Sequence, residues 1–528
     1  MPDQNSPVAT LDSGNSLSGS EISVYFVRNG ERANAISGEV RSYGWSDDEE
    51  RQFMAALTTI SQYVNLTFIE TNDRNADFQV VAANLGDRGL LGYFYQPPRS
   101  DYSGALMGAF NTGGYGWNTT GGLEAGGLGY STIIHEALHG LGLDHPHDGS
   151  RILNGLNPSL SNFPFGDYGD FGLNQSVYTV MSYNDGWSQN QASDWENDGN
   201  AATPMALDIA ILQEIYGANT THNNGDDTYI LTDTDDAWVA IWDTGGTDTI
   251  RYDGNKDTVI DLREATLQYE IGGGGFISAA DGVAGGFTIA NGAEVENATG
   301  GAGDDILIGN AADNLLNGGF GDDMIKGGTG NDTINGDQDD DTLSGGSGSD
   351  TITTTSGTNT IYGGSGFDTL QGGTGADMIH GGSGNDTIDA NGGNDAIYGG
   401  RGNDQIDGGS GRDVISGGLG ADTMTGGAGA DTFVFIAVSE SIAQNSDTIT
   451  DFDQGTDKID FSALDADPTT SGNQTLDMVQ SFTGDVGQLR LDVAGGDTTI
   501  LVDRNGDGVA EMEIFAQGAT LTASDFIL

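Results

Sequence analysis

From residue 300 the chain repeats itself every nine residues, and no other feature restricts its fold so tightly. The first unit is GGAGDDILI (300–308), and the register holds without insertion through fifteen units to DTFVF near 435. The eighth position reads Leu307, Leu316, Ile325, Ile334, Leu343, Ile352, Ile361, Leu370, Ile379, Ile388, Ile397, Ile406, Ile415, Met424, Phe433. The sixth is Asp in thirteen units and Asn at Asn314 and Asn359. Glycines permit the positive φ of a tight turn and free backbone carbonyls to point inward. The Asp adds a carboxylate to those oxygens, a donor set that suits a hard cation such as calcium. The triplet around each aliphatic residue is a minimal strand whose side chain points into a narrow core. One unit is too small to fold alone, so stacking is obligatory. The pattern GGxGxDxUx therefore predicts a calcium-loaded parallel β-roll. A flexible glycine linker would have no reason to keep register. Units at 309, 336, 354 and 390 depart from the glycine pattern, so weak or missing calcium is expected there.

Charge agrees with bound cations. The 528 residues carry 79 acidic and 17 basic groups, a formal net charge of -62. That excludes a general nucleic-acid role, which needs a basic surface, and argues against an anionic membrane as partner. A disordered acidic tail would lack the spaced aliphatics seen here, so cations are the better account of the unbalanced carboxylate. With no cysteine, no disulfide framework exists, and stability outside a cell would come from packing or metals. No stretch has the length and apolarity of a membrane span. The chain length allows two or three domains.

Upstream of the repeat the pattern changes. Residues 1–20 are polar, lack a basic start and an apolar run, and read as a flexible leader, not a cleavable secretory signal. Residues 22–27, 78–82 and 105–109 read as strands. Residues 46–64 read as a helix: Ser46 and Glu49 fit a capping box, and Phe53, Ala56, Leu57, Ile60 and Val64 recur at helical spacing. Residues 131–141 read as a short helix capped by Ser131. Residues 204–216 form another, with Pro204 near its first turn and Gly217 past its end. This region is α/β or α+β, and from about 225 the helical signal gives way to short β runs.

The segment HEALHGLGLDHP (135–146) carries the chemistry. His135 and His139 are four apart and share one helix face. Glu136 sits beside them, placed to act as general base on a metal-bound water. Gly142 allows a sharp turn after the helix, so His145 swings back as a third ligand. Three neutral imidazoles leave an open position on zinc, where a water's pKa falls towards neutrality. A bare HExxH is weak evidence; the full HExxHxxGxxHP is strong. Four of the six histidines fall within 135–147. His147 is not assigned to the metal and reads as a surface residue. SVYTVMSY (176–183) places Met181 in a turn-like setting with Tyr183 two residues on, which together with the histidines reads as the Met-turn of metzincins.

On these residues the chain resembles the serralysins, bacterial metzincins that join a zinc protease domain to a calcium-binding β-roll of the RTX type. The resemblance runs from about 20 to the end and takes in ALDIAILQEIYGAN (206–219), WDTGGTDT (242–249), VENATGGAGDDILIGNAADN (295–314) and the roll. It implies an α+β metzincin protease domain followed by an all-β parallel β-roll. It implies that Tyr183 lies near zinc as a releasable ligand and then stabilises the oxyanion, and that Met181 underlies the metal without touching it. It implies structural calcium at Asp243, Gly245, Gly246, Asp248, Glu294 and Glu296. The roll adds Gly301, Gly303, Asp305, Asp323, Asp332, Asp341, Asp350, Asp368, Asp377, Asp386, Asp395, Asp404, Asp413 and Asp422. TDTDDAWVA (232–240) departs from the family pattern, and no ligand is carried there.

The resemblance further implies export by a one-step ABC-type (type I) machinery that reads an uncleaved C-terminal signal, here Asp525, Phe526, Ile527 and Leu528. That route would explain the missing N-terminal signal and cysteines. The leader then resembles a propeptide removed on activation. The expected organisation is a leader/propeptide (1–20), a protease domain (21–220), a β-rich junction with structural calcium (221–299), the roll (300–435) and a β-rich C-terminal region with the secretion signal (436–528). The expected protein is a secreted, monomeric zinc endopeptidase acting on protein substrates, with calcium as structural cofactor and a proteinaceous inhibitor as a further partner. Substrate is expected to add a strand to an edge such as 105–109. The competing reading is a non-enzymatic calcium-dependent surface or adhesion protein, which would not need the three-histidine motif. A metzincin of another family fused to a generic roll is opposed by MSY and ALDIA.

Overall fold

The computed structural model describes residues 6–35, 38–85, 91–98, 103–114, 117, 121–147, 152–154, 156, 168–184, 199–234, 237–467, 469 and 474–528. The chain divides into two compact units, one of residues 1–252 with 261–295, the other of 253–260 with 296–528. No described helix is long and apolar enough to cross a membrane. The division does not fall at 220: most of the expected junction belongs to the first unit, where Ala237–Ile241 pairs in parallel with Gly286–Ile289 and with Asn200–Ala201.

The first unit is built on a five-stranded sheet. Its strands are β1 (Glu21–Phe26), β2 (Thr67–Glu70), β3 (Phe78–Ala83), β4 (Gly92–Phe94) and β5 (Leu106–Asn111), in the order β2-β1-β3-β5-β4. All pairings are parallel except β4, which runs antiparallel along β5 at the edge. The segment expected as an edge, 105–109, is therefore interior. It lies between β3 and β4, because the three-residue strand Gly92–Phe94 covers its outer side.

Helix α1 (Asp47–Tyr63) begins with the expected box: Glu49 N–H donates to Ser46 Oγ at 3.3 Å and Ser46 N–H to Glu49 Oε2 at 2.8 Å. Its apolar stripe of Phe53, Ala56, Leu57 and Ile60 is fully buried. There Phe53 meets Phe26, Trp45 and Phe110 edge to face, with ring centroids 5.6, 5.5 and 5.0 Å apart.

Helix α2 (Leu128–Leu141) starts three residues earlier than its expected Ser131 cap. Gly127 is the cap residue, tucked so tightly that a Cβ there would sit 2.3 Å from the Gly121 carbonyl oxygen. The helix ends at Gly142, whose φ of 105° a side chain would resist; Leu143 N–H bonds back to Leu138 O. Helix α3 (Ala206–Tyr216) starts after Pro204 and Met205, with Asp208 accepting from Met205 N–H at 2.9 Å. It stops at Gly217, as expected.

Residues 6–17, expected as a flexible leader, are packed. Val8, Ala9, Leu11 and Leu17 are buried. Ser13 N–H bonds Gly142 O, Asp144 N–H bonds Leu11 O at 2.9 Å, and Leu17 N–H bonds the Tyr216 hydroxyl. The apolar residues of this polar stretch are those that find a core.

The second unit is the expected roll. Successive nine-residue units alternate between two parallel sheets, so residues 18 apart are neighbours. One sheet aligns Leu307, Ile325, Leu343, Ile361, Ile379, Ile397, Ile415 and Phe433. The other aligns Leu316, Ile334, Ile352, Leu370, Ile388, Ile406 and Met424. All of these side chains are buried. The glycine demand is steric: a Cβ on Gly364, at φ 111°, would sit 2.2 Å from Gly346 O. The coil does not stop where the sequence period stops. Met424 pairs with Ile449, and Phe433 with Ile459, beyond two insertions. Three antiparallel strands, Gln488–Ala494, Asp497–Asp503 and Met512–Ala516, extend the sheet that contains Ile449.

Candidate metal centre

Helix α2 presents His135 and His139 on one face, and the turn at Gly142 returns His145 to them. Nε2 of His145 lies 3.1 Å from Nε2 of His135 and 3.0 Å from that of His139. The opposite nitrogens are engaged: Nδ1 of His135 lies 2.8 Å from Val180 O, and Nδ1 of His139 lies 2.8 Å from Leu143 O. A carbonyl only accepts, so each Nδ1 carries the proton and each of those Nε2 atoms is a bare lone pair. Burial, with His135 and His147 nearby, pushes His145 down to about 2 and keeps it neutral. With His145 Nε2 about 3 Å from both of these lone pairs, the three nitrogens converge on one point. Ligand atoms about 2.0–2.1 Å from one tetrahedral ion stand roughly this far apart, so the donor set fits zinc.

Glu136 is 8% exposed and faces the same cleft. Burial pushes its carboxyl up to about 8, opposed by a hydrogen bond from Phe94 N–H. A positive ion beside it would bring that value down. Two glycines let the helix come this close. A Cβ on Gly92 would meet Glu136 Cγ at 3.1 Å, and one on Gly140 would meet the Phe78 and Phe94 rings at 2.8 and 2.9 Å. Strand β4 bonds β5 through Leu91 O and Tyr95 N–H. Backbone groups of the alternate residues 92, 94 and 96 therefore point away from β5, and these residues line the cleft with Tyr95 and Tyr183.

Met181 is fully buried and Tyr183 is 37% exposed. The Tyr183 ring stands 4.7 Å from that of His145 and 5.9 Å from that of His135. The turn carrying these residues is held by Asp208 of α3. One carboxylate oxygen accepts from Thr179 Oγ1 at 2.6 Å, the other from Val180 N–H at 2.7 Å. Asp208 thus holds the backbone of Val180, the residue whose carbonyl faces His135 Nδ1. Sequence reasoning passed over it, since an acidic residue in the first turn of a helix is common for dipole reasons alone. His147, expected at the surface, is 2% exposed.

Of the expected calcium residues in the first unit, Asp243 and Asp248 are buried and converge with Asp227, which the sequence reading missed. Gly245 and Gly246 form the intervening turn at φ 137° and 141°. Glu294 is exposed, and Glu296, the first residue of the second unit's longer segment, is half-buried; neither joins a three-carboxylate cluster among the described residues.

In the roll, Gly301 N–H bonds Asp305 Oδ2, and Gly303 packs against Lys256 where a Cβ would clash. From Asp323 on, the position-six aspartates form two columns. Oδ1 of each accepts from the backbone N–H 18 residues earlier, as from Asp332 N–H to Asp350 Oδ1 at 2.8 Å. The second oxygen is buried and accepts no hydrogen bond at Asp323, Asp332, Asp341, Asp350, Asp368, Asp377, Asp386, Asp395, Asp404, Asp413 and Asp422. A buried carboxylate oxygen without a donor is costly; a bound cation would offset that cost. The same signature recurs at Asp431 and at Asp447, the latter hidden from the sequence period by an insertion. Where Asn replaces Asp, the chain supplies its own donor: Asn314 Nδ2 bonds Glu296 O at 2.8 Å, and Asn359 Nδ2 bonds Thr354 Oγ1 at 3.0 Å. A further cluster, Asp503, Asp507 and Glu511, already accepts from Gly506, Gly508, Val509 and Arg504 in its own loop.

The family described as peptidase M10 serralysin C terminal matches residues 206–528. Serralysin of Proteus mirabilis is 30% identical over 295 residues, covering 51% of this chain and 55% of that protein. Serralysin C of Dickeya chrysanthemi is 32% identical over 291 residues, covering 52% and 55%. Metallopeptidase AprA of Pseudomonas marginalis is 29% identical over 280 residues, covering 49% and 54%. The chain thus spans about half the length of the curated relatives it matches.

Proposed function

This chain belongs to the peptidase M10 serralysin C-terminal family, and on that premise we propose that it is an exported, calcium-stabilised zinc endopeptidase. The observation that carries the reading is the convergence of three imidazole nitrogens beside a buried glutamate, in a cleft bordered by a sheet edge. Zinc, when bound, supplies positive charge that polarises the scissile carbonyl and acidifies a water. His135, His139 and His145 hold it. Glu136 takes the proton from the attacking water and passes it to the leaving amine. Tyr183 donates its hydroxyl to the oxyanion of the tetrahedral intermediate. An extended substrate pairs with β4, whose alternate backbone groups face the cleft, and not with 105–109.

Calcium at the Asp columns and at Asp227, Asp243 and Asp248 supports the fold. Export by a type I machinery, which would thread an unfolded chain, fits a protein without cysteine that folds on meeting external calcium. Protein substrates are the partners of the cleft.

Replacing Glu136 by Gln tests the catalytic assignment. The variant is expected to bind one zinc with wild-type affinity in chelator competition, yet to lose casein hydrolysis by roughly 10²–10⁴-fold. Near-wild-type hydrolysis would sink the assignment.

A further inference from the structure

His147 follows the metal-binding segment, and the proposed chemistry makes no use of it. Its ring has a defined place nonetheless. It lies nearly parallel to that of His145, with centroids 5.0 Å apart and planes 16° from each other. A second neighbour is Tyr183, at 4.6 Å and 57°. Pro146, buried between the two histidines, restricts the backbone that spaces them. The Tyr183 ring is thus bounded by His135 and His145 on the metal side and by His147 beside them, while part of it stays open to the cleft.

A tyrosine asked to donate to an oxyanion must return its hydroxyl to one place, and a ring with three χ-defined neighbours has few other places to go. We propose that His147 is a positioning residue for Tyr183: its ring is the wall against which the phenol rests, and it sets how often the hydroxyl faces the scissile carbonyl. This rests on the endopeptidase reading above. The contribution comes from the bulk of an aromatic ring tilted against the phenol, so a phenyl group should serve in its place. It is made in the transition state, so it belongs to kcat and not to KM.

The test is a double-mutant cycle of His147→Gly with Tyr183→Phe, with His147→Phe as the conservative variant. His147→Gly is expected to lower kcat by roughly two- to tenfold, the size that one aromatic contact corresponds to, with KM little changed. His147→Phe is expected to restore it, and in the Tyr183→Phe background His147→Gly should cost nothing more. A second readout needs no turnover. In protein loaded with cobalt(II) alone, His147→Gly should alter the visible ligand-field bands when Tyr183 is present and leave them unchanged once Tyr183→Phe is made. Should His147→Gly fail to fold, His147→Leu, which fills the space without a flat ring, takes its place. Independent, multiplicative losses in the cycle would overturn the proposal, as would a His147→Phe protein no better than His147→Gly. A wild-type protein that binds cobalt but cleaves no peptide when zinc-loaded would defeat the endopeptidase reading, while the cobalt spectra still decide the positioning.

Discussion

Asp208 shows how much one side chain outside the motif can carry. It is fully buried, and burial pushes its carboxyl up to about 6, against the donors Thr179, Met205 and Val180 that hold it down. The folded protein therefore binds a proton there between about pH 4 and 6 that the unfolded chain does not. Stability from this group is complete below about pH 4 and lost as pH rises through 6, a change of about 3 kcal/mol. Asp208→Asn cannot titrate and offers one acceptor to three donors. It is expected to be the less stable protein at pH 5, with the gap to wild type narrowing at pH 7 in urea unfolding; a gap independent of pH would refute the assignment. The convergence of the three histidines beside Glu136 was legible because their spacing sets one helix face and a returning turn, whereas the nearness of Tyr183 was implied only by the family resemblance. Asp208, Asp227 and His147 were not legible, because each acts through residues distant in sequence.

At the scale of elements, the strands and helices with clear periodicity were readable, and the short or atypical ones were not. β4 has three residues, too few for alternation to register, yet it is the strand that borders the cleft. The packed stretch 6–17 was masked by its polar composition. Its bonds, Asp144 N–H to Leu11 O and Ser13 N–H to Gly142 O, hold the connection between His139 and His145. Full burial of a Leu or Val side chain contributes about 1.5–3 kcal/mol, so this stretch is not loosely held. Deleting residues 1–14 is expected to lower the Tm of the first unit and to weaken zinc binding roughly tenfold in chelator competition, since a hydrogen bond of about 1 kcal/mol and its packing are lost at the ligand loop. Unchanged Tm and zinc affinity would mark the stretch as a detachable leader.

Across the whole molecule, the net charge of -62 has a structural address. Burial is the main cause that raises the column aspartates, Asp323 to about 8 and Asp341 and Asp404 to about 7, with neighbouring carboxylates adding to it. Without calcium, the folded roll takes up protons that the unfolded chain lacks, so its stability is greatest in acid and falls as pH rises through these values. In EGTA, β-type circular dichroism is expected to be stronger at pH 5 than at pH 8, whereas with calcium the signal should persist at pH 8. A calcium-free signal that grows with pH would contradict this. The nine-residue period made the roll legible up to 435, and two insertions hid the turns after it. The Asn359 rung has a consequence of its own. One column runs Asp323, Asp341, Asn359, Asp377, Asp395. A neutral amide bonded to Thr354 stands in its middle. The column is thus two shorter runs of charge separated by a neutral spacer, so ions filling one run would couple more weakly to those filling the other across that rung than within a run.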